Sequence, residues 1–441
     1  MSDRLKIECK WLGRQTGNAI DRSFYADIGL AVGDEWLTQL EDIEASTVRN
    51  HLRGCAHQLA TWFAANWWRL RWEPAIPAWW KDSGWRTSHS VAAAGNGYVW
   101  PNVIFVSDGD FLSIASLPRP KRSEFELIRY LNRILTRVSA AEFETSVDSF
   151  IEGILSRSQS RQVESKSLQL LWTEILAERN DAQLTERRKL EAMLGFDPDD
   201  APEVLLQQVL EDENELGRSA VTEVAAEARQ EAPRVLELIR SLAVSKRKAN
   251  TGGVRVSLPS FKIPPKFDSG LHRPWEKGTE LARIARSRWG LDDKPITDKQ
   301  LANLVEAAPA LFTYASSAVT RIPIGVKKGS NGTFDVYLES LQPTNRRFTM
   351  CRMIGDHLYF TNSEKVLPAT HAKTARQKFQ RAFAQEFLCP IDALRGQLKA
   401  SPPDEDDISE AAKHFQVSPL LVRTTLVNKG ALDREALGWD D

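Results

Sequence analysis

Cysteine is scarce in this chain: Cys9, Cys55, Cys351 and Cys389 are the four present in 441 residues. None belongs to a CxxC pair, and their wide spacing suits neither a zinc ribbon nor a disulfide framework. Reduced thiols in a cytoplasm are the simplest expectation. Long apolar runs are also missing: no stretch approaches the roughly 18 uninterrupted apolar residues of a membrane-spanning helix. The first residues, Met1–Trp11, lack the apolar core of a signal peptide. A phosphate loop of the form Gly, four residues, Gly-Lys-Ser/Thr is absent, and no internal repeat, heptad array or low-complexity tract occurs. There is no excess of charge of one sign. With 58 basic and 59 acidic side chains the formal net charge is -1, which advertises neither a nucleic-acid nor a membrane partner.

What is present is apolar and aromatic. Hydrophobic residues make up 42% of the chain and tryptophans number 14, ample for folded cores. The length suggests roughly two to four domains. Charge is unevenly spread: residues 123–250 carry 17 basic and 24 acidic side chains, whereas residues 251–441 carry 27 and 22. The basic bias of the last third is compatible with a polyanion but too small to require one.

The pattern predicts an α+β, predominantly helical fold in three parts. Residues 1–122 read as a tryptophan-rich mixed domain. Its strands are expected at Leu5–Trp11 and Ser23–Val32, and a single buried helix over Val48–Arg71, stopped by Pro74. A hairpin is expected from Tyr98–Val106 and Phe111–Ser116 around the turn Ser107–Asp110. Pro118–Arg122 reads as a linker. Residues 123–245 read as helices throughout, beginning with Phe125, Leu127, Ile128, Leu131 and Leu135 at helical spacing. Residues 246–274 form a basic, glycine-containing and then proline-spaced boundary that cannot hold a regular helix. In residues 275–441, helices are expected at Gly278–Trp289, Thr297–Ala307, Asn345–Phe360, Ala375–Leu388 and Ile408–Phe415. Strands are expected at Thr320–Val326 and Thr333–Leu341.

This last part carries the most specific signal. A helix, GTELARIARSRWGL, precedes two strands, then RRFTMCRMIGDHL and QKFQRAFAQEFLCP. In that order, with Arg347-Phe348-Thr349, Gly355, Phe383-Ala384 and Phe387–Pro390 in frame, roughly residues 275–430 resemble the ImmA/IrrE metallopeptidases. The resemblance implies a zincin-like domain, in which two histidines four apart on a helix and a residue of a later helix bind zinc. A glutamate after the first histidine would act as general base. Those positions are occupied here by Arg352, Met353, Asp356 and Gln377. Arg352 is cationic at any biological pH and has no lone pair for a metal. Met353 cannot accept a proton, and Gln377 offers only a neutral carbonyl. The expectation is a degenerate site with no bound metal or other cofactor, not a working protease. Arg352 and Asp356, four apart, are expected to form an ion pair in its place. The other metal-capable atoms nearby are those of Asp356, His357 and His371.

Two further regions hold candidate residues. Residues 407–430 resemble a helix-turn-helix in which Ile408, Ala411, Ala412, Phe415, Leu421, Val422 and Leu426 face inward. Arg423, Thr424, Thr425 and Lys429 would then be the candidate DNA contacts, although such a segment also completes the peptidase fold without reading DNA. In the N-terminal part, Trp67, Trp68, Arg71, His89, Asp108 and Asp110 are candidates for a ligand pocket or a small acid–base cluster. Core packing and a hairpin turn explain the same residue types.

Together these readings predict a non-catalytic regulatory or sensing protein that keeps a peptidase-like cleft for binding. By resemblance it would be bacterial and cytoplasmic, serving stress response or mobile-element and phage control. A protein partner is expected, DNA is a second candidate, and no membrane partner is expected. A metallopeptidase with an unconventional site and a DNA-binding regulator are the alternatives.

Overall fold

The computed structural model describes residues 4–13, 16–76, 82–118, 126–244, 253–265, 267–271, 273–313, 320–329, 332–360 and 364–433. Of the expected linker Pro118–Arg122, all but Pro118 lies outside the described residues, as do Phe125 and the basic run Lys246–Lys248. The fold is α+β and predominantly helical. It divides into two compact units, Met1–Leu206 and Gln207–Asp441. Within residues 123–245, the helices up to Leu194 fall in the first unit and those from Arg218 onward in the second. Among the described residues no helix is long and apolar enough to cross a membrane.

In the first unit, strand Tyr25–Val32 is the hub of a four-stranded sheet. It pairs antiparallel with Leu5–Trp11, Glu35–Trp36 and Leu52–Cys55. The expected hairpin forms from strands Asn102–Ser107 and Phe111–Leu117. Its turn is held by Asp108, whose Oδ1 accepts from the backbone N–H groups of Asp110 (2.9 Å) and Phe111 (2.7 Å), the local closure that favours aspartate in turns.

Two expectations fail here. The single helix over Val48–Arg71 is instead strand Thr47–Arg49, strand Leu52–Cys55 and helices Ala56–Ala65 and Trp67–Trp72. Leu52, Cys55 and Leu59 repeat as a helix would, but pairing of Leu52 with Ile28 and Cys55 with Tyr25 takes the first two into the sheet. Residues 126–139 are not helical either. Ile128–Tyr130 pairs with Leu40–Asp42, and Ile134–Ser139 pairs with Phe111–Leu117. The alternating β-branched residues Ile134, Thr136 and Val138 suit a pleated strand. Helix Ala140–Arg161 follows, capped by Ser139 and burying Phe143, Val147, Phe150, Ile151 and Ile154 at helical spacing.

The second unit contains an antiparallel sheet in the order Val254–Ser257, Thr333–Tyr337, Ile324–Lys327, Val366–Pro368. The proline-spaced stretch before Trp275 holds no helix, yet it contributes an edge strand and places Leu258 and Phe267 in the core. Three helices pack beside one another in this unit: Pro274–Arg288, Pro343–Tyr359 and Ala375–Leu388. Two glycines set how closely they approach. A Cβ on Gly278 would meet the Phe379 carbonyl oxygen at 2.4 Å, and one on Gly355 would meet the Phe383 ring at 2.6 Å. Both distances are far inside van der Waals contact, so each position requires a bare Cα. Helix Asp298–Leu304 starts at a capping box, in which Thr297 N donates to Gln300 Oε1 (2.9 Å) and Gln300 N to Thr297 Oγ1 (3.3 Å).

The close approach has a direct consequence. Gly278→Ala must push a helix backbone aside and is expected to lower stability by about 1–3 kcal/mol. Gly396→Ala, on an exposed helical position with nothing within 4 Å of the added Cβ, is expected to raise it by about 0.5–1 kcal/mol. Urea unfolding of the two variants beside the parent checks both signs.

Candidate functional site

The expected chemical positions come together where helix Pro343–Tyr359 meets helix Ala375–Leu388. Pro343 occupies the first turn of one helix, and Thr374 caps the other by accepting from Gln377 N (3.2 Å). Every residue from Thr349 to Leu358 is buried, so each side chain there needs a partner inside the protein. Met353 takes an apolar place in the core. Arg352 donates through Nη2 to the Thr370 carbonyl (2.5 Å) and to Gln377 Oε1. Gln377 spends its other end on the Pro368 carbonyl (3.2 Å).

The expected ion pair between Arg352 and Asp356 is not what forms. Asp356 is completely buried and is gripped by Arg376, with Nε to Oδ1 at 2.8 Å and Nη2 to Oδ2 at 2.6 Å. Two parallel charge-assisted bonds from an arginine of the facing helix engage both carboxylate oxygens, and Arg352 makes its own bonds elsewhere.

Other acids join this cluster from distant parts of the chain. Glu364 accepts from Ala220 N (3.0 Å) and lies 3.8 Å from Arg376 Nη1. Arg376 Nη1 also donates to Ser219 Oγ (2.9 Å). On helix Arg218–Ala228, Glu223 accepts from Thr374 Oγ1 (2.7 Å), and Glu227 accepts from His371 N (3.1 Å). Burial raises the Glu223 and Glu364 carboxyls above their ordinary range, with Arg376 opposing the rise. Burial would raise Glu227 too, but its hydrogen bonds and charge interaction with His371 leave it lowered. Burial, reinforced by the charge of Arg381, pushes Arg352 well below its ordinary value. Helix Arg218–Ala228 thus lies over the candidate site and supplies part of its negative charge.

This residue set does not fit a divalent ion. Both Asp356 oxygens are committed to Arg376, Gln377 Oε1 is committed to Arg352, and a guanidinium has no lone pair to donate. His357 is buried edge-on against Phe334 at 5.3 Å. His371 is exposed, with Nδ1 3.4 Å from Glu227. Among the described residues no group of three or more His, Cys, Asp or Glu side chains is placed to hold a metal.

The other candidate residues are also placed. Helices Glu405–Phe415 and Pro419–Asn428 form the expected pair, turning at Gln416 and capped at Ser418. The inward-facing set from Ile408 to Leu426 is buried as expected, while Leu420 is exposed. Arg423 donates to Glu405 Oε2 (2.5 Å), in a first turn that also carries Asp406 and Asp407. Thr424 is half-buried and Lys429 is exposed. Thr425, expected at the surface, is buried, its hydroxyl donating to the Leu421 carbonyl (2.8 Å).

In the first unit, Trp67 stacks on Phe143 and meets Trp172 edge-on. Trp68 Nε1 donates to Glu178 (2.7 Å). Arg71 binds Glu144 (2.5 Å) and the Gly109 carbonyl (2.7 Å). These contacts put Trp67, Trp68 and Arg71 into packing. His89 is fully buried, stacked on Trp85 at 3.8 Å, with Nδ1 at 2.8 Å from the Trp85 carbonyl and Nε2 at 3.7 Å from Glu73. Asp108 holds its turn and Asp110 is exposed at the tip.

Sequence reasoning did not find Arg376, Arg381, Glu223, Glu227, Glu364 or Thr370. Arg376 carried a signal, standing beside Gln377 at the start of the helix. The glutamates sit more than a hundred residues from the Thr374, His371 and Ala220 groups they bond, and nothing local marks them.

His89 offers a pH test in the first unit. Burial, helped by the charge of Arg69, lowers its pKa from 6.5 to about 4. The unfolded chain binds the proton at higher pH than the folded one, so stability is lost as pH falls from about 6.5 to 4, by up to roughly 3 kcal/mol. His89→Phe is expected to flatten the fall of melting temperature across that window; an unchanged slope would place the acid sensitivity elsewhere.

No family model matches the chain, and no curated protein matches it at a significant level.

Proposed function

We propose that this chain is a non-catalytic regulatory or sensing protein whose second unit is a degenerate ImmA/IrrE-like domain used as a binding module. The observation that carries the reading is the buried bond between Arg352 and Gln377. Two positions that a working relative would give to a metal are spent on each other. The general-base position is an apolar core residue, Met353. The remaining carboxylate, Asp356, is neutralised by Arg376. What the arrangement supports is recognition: a charged, partly balanced cluster beside helix Arg218–Ala228. The resemblance supplies the context, a bacterial cytoplasmic protein of stress response or mobile-element and phage control with a protein partner. Buried free thiols at Cys55, Cys351 and Cys389 suit that compartment.

Purified full-length protein, loaded with zinc and then desalted, is expected to retain only sub-stoichiometric metal. One tightly held zinc per chain, lost in Asp356→Asn, overturns the reading in favour of an enzyme.

DNA binding is the second reading, favoured by the formed helix pair Glu405–Phe415 and Pro419–Asn428. The Arg423–Glu405 pair weakens it, because affinity for a phosphate backbone grows with the number of phosphates neutralised. The expected gel-shift result at low salt is no retarded duplex; a salt-sensitive shift lost in the Arg423→Ala, Lys429→Ala double variant reverses the ranking.

A further inference from the structure

Most buried arginines of the second unit bond through several nitrogens: Arg347 reaches Asp298, Gln416 and the Ile296 carbonyl through both terminal nitrogens, its Nε alone without a partner among the described residues. Arg376 is matched by Asp356, Arg286 reaches the carbonyls of Asp292, Phe387, Leu291 and Lys294, and Arg346 reaches those of Leu311, Leu338 and Ser340. Arg352 and Arg381 differ. Each makes its hydrogen bonds through a single terminal nitrogen, and both of those nitrogens converge on one acceptor, the Thr370 carbonyl, at 2.5 Å from Arg352 and 3.2 Å from Arg381. Arg381 Nη2 also reaches the Ala372 carbonyl at 2.9 Å. Among the described residues, neither guanidinium forms a salt bridge.

The polar groups around that carbonyl are also unspent. Among the described residues, Arg352 Nε is buried without a partner, and so is the hydroxyl of Thr370, a residue with 0% exposure. Unsatisfied buried donors are rare and costly in native interiors. With two like-charged guanidiniums converging on one carbonyl, they define a place with an excess of positive charge; the unpartnered acceptor of this neighbourhood among the described residues, Gln380 Oε1, is neutral and leaves that charge unbalanced. A ligand oxyanion supplies acceptors and negative charge together, since its oxygens accept several charge-assisted bonds and its charge separates the cations. Arg352 and Thr370 are buried, and the edge of the cluster that faces solvent is Arg381, half-buried, with the adjoining His371 side chain 70% exposed. Asp356, already paired with Arg376, opposes the charge of Arg352, and Glu223 and Glu227 on helix Arg218–Ala228 act through space on both arginines while bonding to Thr374 and His371.

We propose that Arg352, Arg381 and Thr370 form a binding site for an oxyanion group of a ligand, a carboxylate or a phosphate, entered beside His371. Glu227 competes with that ligand for the same positive charge and sets the affinity. The proposal rests on the binding-module reading and names the chemistry that the module recognises.

The test uses full-length protein with inorganic phosphate and acetate as separate probes, at constant ionic strength against chloride, read by thermal shift and calorimetry. One probe is expected to bind saturably with a dissociation constant in roughly the millimolar range; which one does so distinguishes the two oxyanion sources. Arg381→Gln is expected to weaken binding at least about tenfold, the order of one lost charge-assisted bond. Thr370→Val is the decisive variant. Its hydroxyl makes no bond among the described residues, so a purely structural role predicts unchanged anion response, whereas the proposal predicts its loss with stability retained. Glu227→Gln is expected to tighten binding severalfold. No response to either probe beyond chloride overturns the proposal, as does a response unaltered in both Arg381→Gln and Thr370→Val. A protein that fails to hold zinc yet ignores both anions sinks the anion site alone, whereas stoichiometric zinc sinks the underlying reading.

Discussion

A buried carboxylate must be paired, and around Asp356 that requirement organises much of the second unit. Its partner, Arg376, stands at the start of the facing helix and also reaches Ser219 and the vicinity of Glu364. One guanidinium therefore connects helix Pro343–Tyr359, the segment before strand Val366–Pro368, and helix Arg218–Ala228. Desolvating these charges costs several kcal/mol each, and only the bidentate geometry and the added hydrogen bonds offset that cost. The pair acts as a constraint on which segments meet, more than as a net source of stability.

Packing in the same region depends on absence of side chain. Gly278 and Gly355 let two helices approach Phe379 and Phe383 on helix Ala375–Leu388. With the helices this close, Arg352 on one reaches Gln377 on another, and the guanidinium fills the space between them. The candidate site is thus shaped by close-packed backbones on one side and by an acidic helix on the other. In the first unit the analogous organising element is aromatic. Trp67, Phe143 and Trp172 form one contact set, and the polar edge of Trp68 is satisfied by Glu178, as a large amphipathic side chain requires when buried.

Part of this was legible beforehand. The apolar spacing around Gly355 and Phe383 located the two helices. The caps at Thr297 and Ser418 marked helix starts. The turn at Asp108 announced a hairpin. Other parts were legible only as ambiguity. Leu52, Cys55 and Leu59 satisfy a helical period while two of them sit in a strand, and the residues from Leu127 to Leu135 do the same. In both stretches the partner strand, Tyr25–Val32, Leu40–Asp42 or Phe111–Leu117, decided the outcome. The ion pair for Asp356 was assigned to the wrong arginine, because spacing within one helix says nothing of a better-aimed arginine on its neighbour.

What the sequence determined alone is chemical identity and local geometry: a single carboxylate, Asp356, beside Arg352, Met353 and Gln377, no run of apolar residues long enough to span a membrane, and helix starts and turns set by side chains that bond backbone a few residues away. What only the tertiary structure decided is which charges meet and which apolar segments become strands. Those outcomes depend on groups tens to more than a hundred residues apart, and a period or a motif carries no information about a partner that reaches it only once the chain has folded.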